Sequence, residues 1–237
     1  MVGLASRMSL ALVLAAAPNQ GGPLAEARER ATEFDLSGAI ALLKTVSNGA
    51  DTNAQVAMVY MRGLTDAREA ARQGGSPESL ASVTQAIAWL GAASSGQPGP
   101  AEIARLTLQA AAAAAQSERD EMRLYLESAV RMEIVQRAAG LPGAPLVPAA
   151  EIAGDLWLQV HRYEEARRAY ADAADRFGPS FRTHAGSARA ARSLNDTSGA
   201  CRAFRALLDG WGARDSQPAE ILEARAYVAG SCQASAR

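Results

Sequence analysis

Three pairs of residues in the last third of the chain stand 34 apart: Gly154 and Ala188, Ala166 and Ala200, Tyr170 and Phe204. Each copy keeps the same internal order. A small residue is followed 12 positions on by Ala, and an aromatic comes 4 later. A period of this length marks stacked supersecondary units. The residue types fit a helical hairpin. The small residue of the first helix and the Ala of the second sit where the two helices cross, and a larger side chain there would push the axes apart. The aromatic fills the space against the next hairpin. Such units cannot bury an apolar face alone, so they stack.

The remaining sequence favours helices as well. About a quarter of the 237 residues are Ala, and only 5% are aromatic. Ala has the best helix propensity, and strand formers are sparse. No stretch alternates with period two, so no sheet is expected. Pro23 to Phe34 and Leu36 to Val46 read as a hairpin, with Leu24, Ala27, Ala31 and Phe34, then Ile40 and Leu43, at helical spacing. Ser47-Asn48-Gly49 is a stop signal. Ala54 to Arg72 is a longer helix with Val56, Val59, Tyr60, Leu64 and Ala67 on one face. The next is expected to start at Pro77, capped by Ser76, and to carry Leu80, Val83, Ile87 and Leu90. Ala101 to Gln116 contains the alanine run Ala110 to Ala115. Glu118 to Ala139 turns Met122, Tyr125, Leu126, Ala129 and Ile134 inward. Residues 140–148 hold three prolines and two glycines and cannot continue a helix. They form a linker or an ordered loop, taken as a boundary between a helical region at 23–139 and a second at 149–232. The expected fold is all-α: an α-solenoid of stacked antiparallel hairpins with about ten to eleven helices.

The C-terminal part resembles the tetratricopeptide repeat family. The first copy carries the resemblance through Gly154, Trp157, Tyr163, Ala166, Tyr170, Ala173 and the turn Gly178-Pro179. The second does so through Ala188, Ala191, Ala200, Phe204 and Leu207, with Asn195-Asp196 in its inner turn. It departs at Ala191, where the first copy has Trp157. Pro218 to Ala229 has the place of a capping helix. The match spans about 80 of the 237 residues and is similar to C-terminal regions of exported bacterial proteins of that family. Ala27 and Ala39 are also 12 apart and are followed by Leu43. Residues 50–96 resemble one Sel-like or tetratricopeptide hairpin, stretched by an insertion.

Two features bear on compartment. Arg7 is the only charge in the first 25 residues, and the apolar run Leu10 to Ala17 follows it. That run spans roughly 12 Å, under half of a bilayer core of about 30 Å. It suits a signal h-region better than a membrane span, with Ala15 and Ala17 as small residues before a cleavage site, although Pro18 fits cleavage there poorly. Residues 1–22 are therefore a signal peptide or a disordered N-terminus. Cys201 and Cys232 are the only cysteines. One lies near the start of the second helix of its hairpin and the other just past the end of the next helix. In an antiparallel pair those ends meet, so a Cys201–Cys232 disulfide is expected; two unpaired cysteines are the alternative. Both features point to a periplasmic or secreted protein, with a cytoplasmic one as the alternative.

No residue pattern in the sequence marks an active site. Lys44 is the only lysine, and its context lacks the glycines of a phosphate loop. His161 and His184 are 23 apart with no ligand-spaced neighbours, so no metal is expected. No nucleophile elbow is present. Glu164-Glu165 and the acidic run from Glu118 to Glu121 lie at helix starts, where negative charge is favourable. Trp89, Trp157 and Trp211 read as packing residues. A net charge of −1 excludes a general affinity for nucleic acid.

One surface has the makings of a binding site. The resemblance implies that the first helix of each repeat lines a concave groove. There Arg182, Arg189 and Arg192 fall on one helical face, at spacings of 7 and 3. Asp155 is the counterpart of Arg189, with Glu151 and Gln159 a turn to either side. Arginine forks suit carboxylates, so the groove would grip an acidic segment or C-terminus of a partner protein; the alternative is a solvated arginine face. The expected function is a non-catalytic interaction scaffold of the bacterial envelope, without cofactor. Alternatives are a cytoplasmic adaptor, or an enzyme or accessory factor with a site hidden in residues 50–140.

Overall fold

The turns between helices show the repeat most clearly. In a computed structural model, which describes residues 22–46, 51–213 and 218–232, four non-glycine residues adopt left-handed backbone at the same place. They are Phe34, Ser117, His161 and Asn195, with φ between 59° and 65°. Each precedes the next helix by two residues. In each turn the following N–H reaches back five residues, as in Asp35 to Arg30, Glu118 to Ala113, Arg162 to Trp157 and Asp196 to Ala191, all at 2.9 Å. This is the Schellman closure, which satisfies the carbonyls at a helix end.

Eleven helices and no strands are found among the described residues. They are α1 (Pro23–Thr32), α2 (Leu36–Val46), α3 (Thr52–Arg72), α4 (Ala81–Ser94), α5 (Pro100–Ala115), α6 (Arg119–Ala138), α7 (Ala149–Gln159), α8 (Tyr163–Phe177), α9 (Phe181–Ser193), α10 (Thr197–Trp211) and α11 (Ala219–Gly230). Consecutive helices pack as neighbours, and α3, α5, α7 and α9 also touch one another in series. The fold is all-α and solenoid-like. The stop signal at residues 47–49 and the signal-like residues 1–21 lie outside the described residues.

Side chains at the crossings follow the repeat. Ala27, Ala110, Gly154 and Ala188 stand in equivalent first-helix positions, and each is buried. Twelve residues later come Ala39, Met122, Ala166 and Ala200, all 0% exposed. Leu43, Leu126, Tyr170 and Phe204 follow, 3% exposed or less. The Tyr170 ring needs glycine on two sides. A Cβ on Gly154 would come within 2.5 Å of it, and one on Gly186, in the next hairpin, closer still. The alanine run of α5 lets that helix sit in the middle, against α3, α4, α6 and α7. Ten of its sixteen residues are buried, and Glu102, Arg105 and Gln109 form its one polar stripe.

Three local expectations are corrected. The helix expected at Pro77 begins at Ala81. Ser76 caps only the turn before it, its hydroxyl accepting from the Ser79 N–H at 3.2 Å. On α6, Ile134 is half-buried, and the adjacent Glu133 is the buried residue. Its carboxylate accepts the Ala144 N–H at 3.1 Å and the Ala149 N–H at 2.6 Å, with Arg137 donating to it at 3.0 Å. Glu133 thus ties the Pro/Gly loop down and caps α7, whose first turn has no side-chain cap of its own. Leu146 and Val147 from that loop are buried in an apolar cluster running from Ala27 to Val160. The loop is an ordered part of the core.

The first hairpin also reaches the last repeat. Phe34 meets Phe181 edge-on at 6.3 Å between ring centroids, and the Ala31 carbonyl accepts from Arg182. The row of first helices thereby curves round on itself, leaving a groove at its centre.

Candidate functional site

That groove has a volume of about 720 Å³. Leu36, Leu64, Ile152, Leu156 and Leu158 give it apolar walls. Arg68 and Arg72 of α3 and Arg182 and Arg189 of α9 bring positive charge, with Asp155 of α7 between them. Gln159 and Glu220 also line it. A cleft of this size with few polar groups on apolar walls is the ordinary form of a ligand site.

Asp155 organises the floor. Its carboxylate accepts from Arg68 at 3.2 Å, from the Tyr170 hydroxyl at 2.6 Å and from Arg182. Three helices besides its own are joined at one side chain. Burial raises the Tyr170 phenol well above its usual pKa, and the Asp155 charge raises it further. The phenol stays protonated and donates.

Arg182 is completely buried. Besides Asp155 and the Ala31 carbonyl, its guanidinium lies 4.0 Å over the Phe34 ring and 3.9 Å from the Glu151 carboxylate. Glu151 also accepts from the Ser180 hydroxyl at 3.0 Å. Its other oxygen, and the Arg182 Nε, have no hydrogen-bond partner. Burial pushes the Glu151 carboxyl up to about 7, against an ordinary 4.5, although Arg182 pulls the other way.

This carboxyl predicts a pH dependence. A folded-state pKa above the unfolded value favours folding at low pH, and the advantage is lost as pH rises through about 7. Glu151→Gln keeps an acceptor for Ser180 but cannot ionise. The variant is expected to match the parent chain at pH 4 and to exceed it at pH 8 by up to about 3 kcal/mol. Urea unfolding at both pH values measures this; an equal difference at the two would contradict it.

The residues singled out in the sequence divide. Arg182, Arg189, Asp155 and Gln159 line the groove, and Arg192 does not. Arg182 offers nothing to a partner, because it is fully buried and its guanidinium is turned to Asp155 and the Ala31 carbonyl inside the protein. Arg189 donates to Glu223 at 2.7 Å and to Glu220 at 3.1 Å, and Arg192 pairs with Glu223 at 2.7 Å. The three arginines therefore do not form one free face: α7 supplies the carboxylates of Arg182, and α11 those of Arg189 and Arg192. Burial weakens the charge of Arg189, but hydrogen bonds and attraction from Glu223 and Glu220 more than restore it. Arg68 and Arg72 were not anticipated. Arg72 is 72% exposed, with Glu69 on its own helix at 2.8 Å.

The other candidates are accounted for locally. His161 meets the Tyr163 hydroxyl at 2.9 Å in the hairpin turn. His184 sits beside Trp211, and burial lowers its pKa. Glu164 and Glu165 pair with Arg167 and Arg162. Among the described residues no cluster of three or more His, Cys, Asp or Glu could hold a metal ion. No helix among them is long and apolar enough to cross a membrane. Cys201 and Cys232 are joined by a disulfide, with Cα atoms 5.7 Å apart.

No protein-family model, curated protein or solved structure matches this chain.

Proposed function

We propose that this chain is a non-catalytic scaffold of the tetratricopeptide type, and that its central groove grips an acidic segment of a partner protein. The observation that carries this reading is the pairing of exposed arginine with apolar wall. Arg72 and the part-exposed Arg68 stand beside Leu64, Ile152 and Leu156 on the same groove. Arginine forks recognise carboxylates, and the walls take up the apolar residues between them. The disulfide supports placement in an oxidising compartment such as the bacterial periplasm.

The test is fluorescence anisotropy with a short fluorescein-labelled peptide of alternating glutamate and leucine. The parent chain is expected to bind it, with affinity falling as salt rises. Arg72→Glu removes one exposed contact and repels the probe, so binding is expected to weaken roughly tenfold. Arg189→Glu is expected to weaken it as well. Binding unchanged in both variants overturns the reading.

A further inference from the structure

Helix α11 lays acidic side chains on arginines at the edge of the groove. Glu220 and Glu223 stand about one helical turn apart on α11, and both reach Arg189. Glu223 also holds Arg192. Glu220 and Arg189 themselves line the groove. We propose that the first half of α11 is a built-in competitor for the groove, so that an acidic ligand gains Arg189 by displacing the Glu220 and Glu223 carboxylates, which also releases Arg192 from Glu223. This rests on the groove being a site for acidic ligands.

The contacts are of a kind that can exchange. The side chains of Arg189 and Arg192 are 29% and 46% exposed, those of Glu220 and Glu223 13% and 21%. Solvent reaches every member of these pairs, and a ligand's carboxylates exchange for them like for like, one arginine–carboxylate contact replacing another. Arg182 differs: it is 0% exposed and holds two other elements of the fold, so it stays in place. Displacement need not unfold α11. Ile221 and Ala224 stay buried against the cluster of Phe204 and Leu207, and the Cys201–Cys232 bond pins the far end of the helix to α10. Only the two carboxylates have to turn away. Arg189 would then face the ligand while still 5.6 Å from the Phe34 ring.

The experiment compares three full-length proteins with the glutamate–leucine peptide by anisotropy: the parent chain, Glu220→Gln/Glu223→Gln, and Asp172→Asn/Asp175→Asn. The last pair lies exposed on α8 and changes net charge equally. If the arginines are engaged about nine-tenths of the time, freeing them tightens binding about tenfold. That gain is expected for the α11 variant and not for the α8 variant. Equal affinities in all three, with the Arg72→Glu effect intact, overturn the competitor and leave the groove reading standing. Equal gains in both variants overturn it too, since charge alone would then suffice. No binding by any protein overturns both. Should the α11 variant fold poorly, the side-chain Nε resonances of Arg189 and Arg192 in the unaltered chain decide. They are expected to shift on peptide addition; shifts confined to Arg68 and Arg72 refute the proposal.

Discussion

Arg182→Ala is expected to destabilise the protein by about 3–5 kcal/mol, the range for breaking one partner out of a buried ion pair. Among the described residues Arg182 is the largest fully buried side chain. Its guanidinium meets Asp155 on α7, the Ala31 carbonyl at the end of α1 and the Phe34 ring. Removing it leaves the Ala31 carbonyl with only the Phe34 N–H, at 3.3 Å, and Asp155 with Arg68 and Tyr170 alone. It also takes away the positive charge that lowers the Glu151 pKa. A buried group left without its partner costs more than the pair contributed. Urea unfolding at pH 7 gives the loss. Arg192→Ala is the comparison, at a side chain 46% exposed with one ion-pair partner, Glu223. Exposed pairs contribute at most about 1 kcal/mol. If the two variants lose the same stability, Arg182 is not what joins the first hairpin to the last repeat. A double variant, Arg182→Met with Asp155→Leu, should lose less than the sum of its single changes, since neither then leaves a buried charge alone.

This connection was not legible in the sequence. Arg182 sits at helical spacing from Arg189 and Arg192, and that spacing alone says they share a face. It does not say whether the face meets solvent or the chain itself. The answer depends on Ala31, 151 residues away, and on how far the row of helices curves. Curvature is a sum of small rotations per hairpin, and a residue pattern does not encode it directly. Arg68 and Asp155, 87 residues apart, escaped for the same reason.

Local features were far more legible. Helix positions followed from periodicity, and the crossing residues from the 34-residue spacing. The hairpin of α5 and α6 was missed as a copy because Met122 occupies the position that Ala39, Ala166 and Ala200 hold elsewhere. Met is flexible enough to pack there without a matching small residue. Gly186 was missed because the pattern pairs Gly154 with Ala188, whereas the Tyr170 ring touches the next hairpin half a turn earlier. Glu133 reads as one more acidic residue on an amphipathic helix. Its burial follows only once the Pro/Gly loop is seen to fold back over it with two N–H groups to satisfy.

Reducing the Cys201–Cys232 bond is expected to lower stability by about 3–4 kcal/mol. The bond spans 31 residues, and opening it restores freedom to that loop in the unfolded chain. The effect should fall on α11 above all. That helix fully buries only Ile221 and Ala224, and it packs mainly on α10. Its ion pairs to Arg189 and Arg192 are reached by solvent and cannot replace the covalent tie. Native protein purified without reductant should therefore titrate no free thiol. Unfolded with reductant, it should titrate two. Guanidinium unfolding with and without reductant gives the stability difference, and hydrogen exchange in the reduced protein should rise first at residues 219–230. Two free thiols in the unreduced native protein would remove the tie. They would also remove the main structural support for an oxidising compartment, because a bond of this kind persists where thiols are not kept reduced.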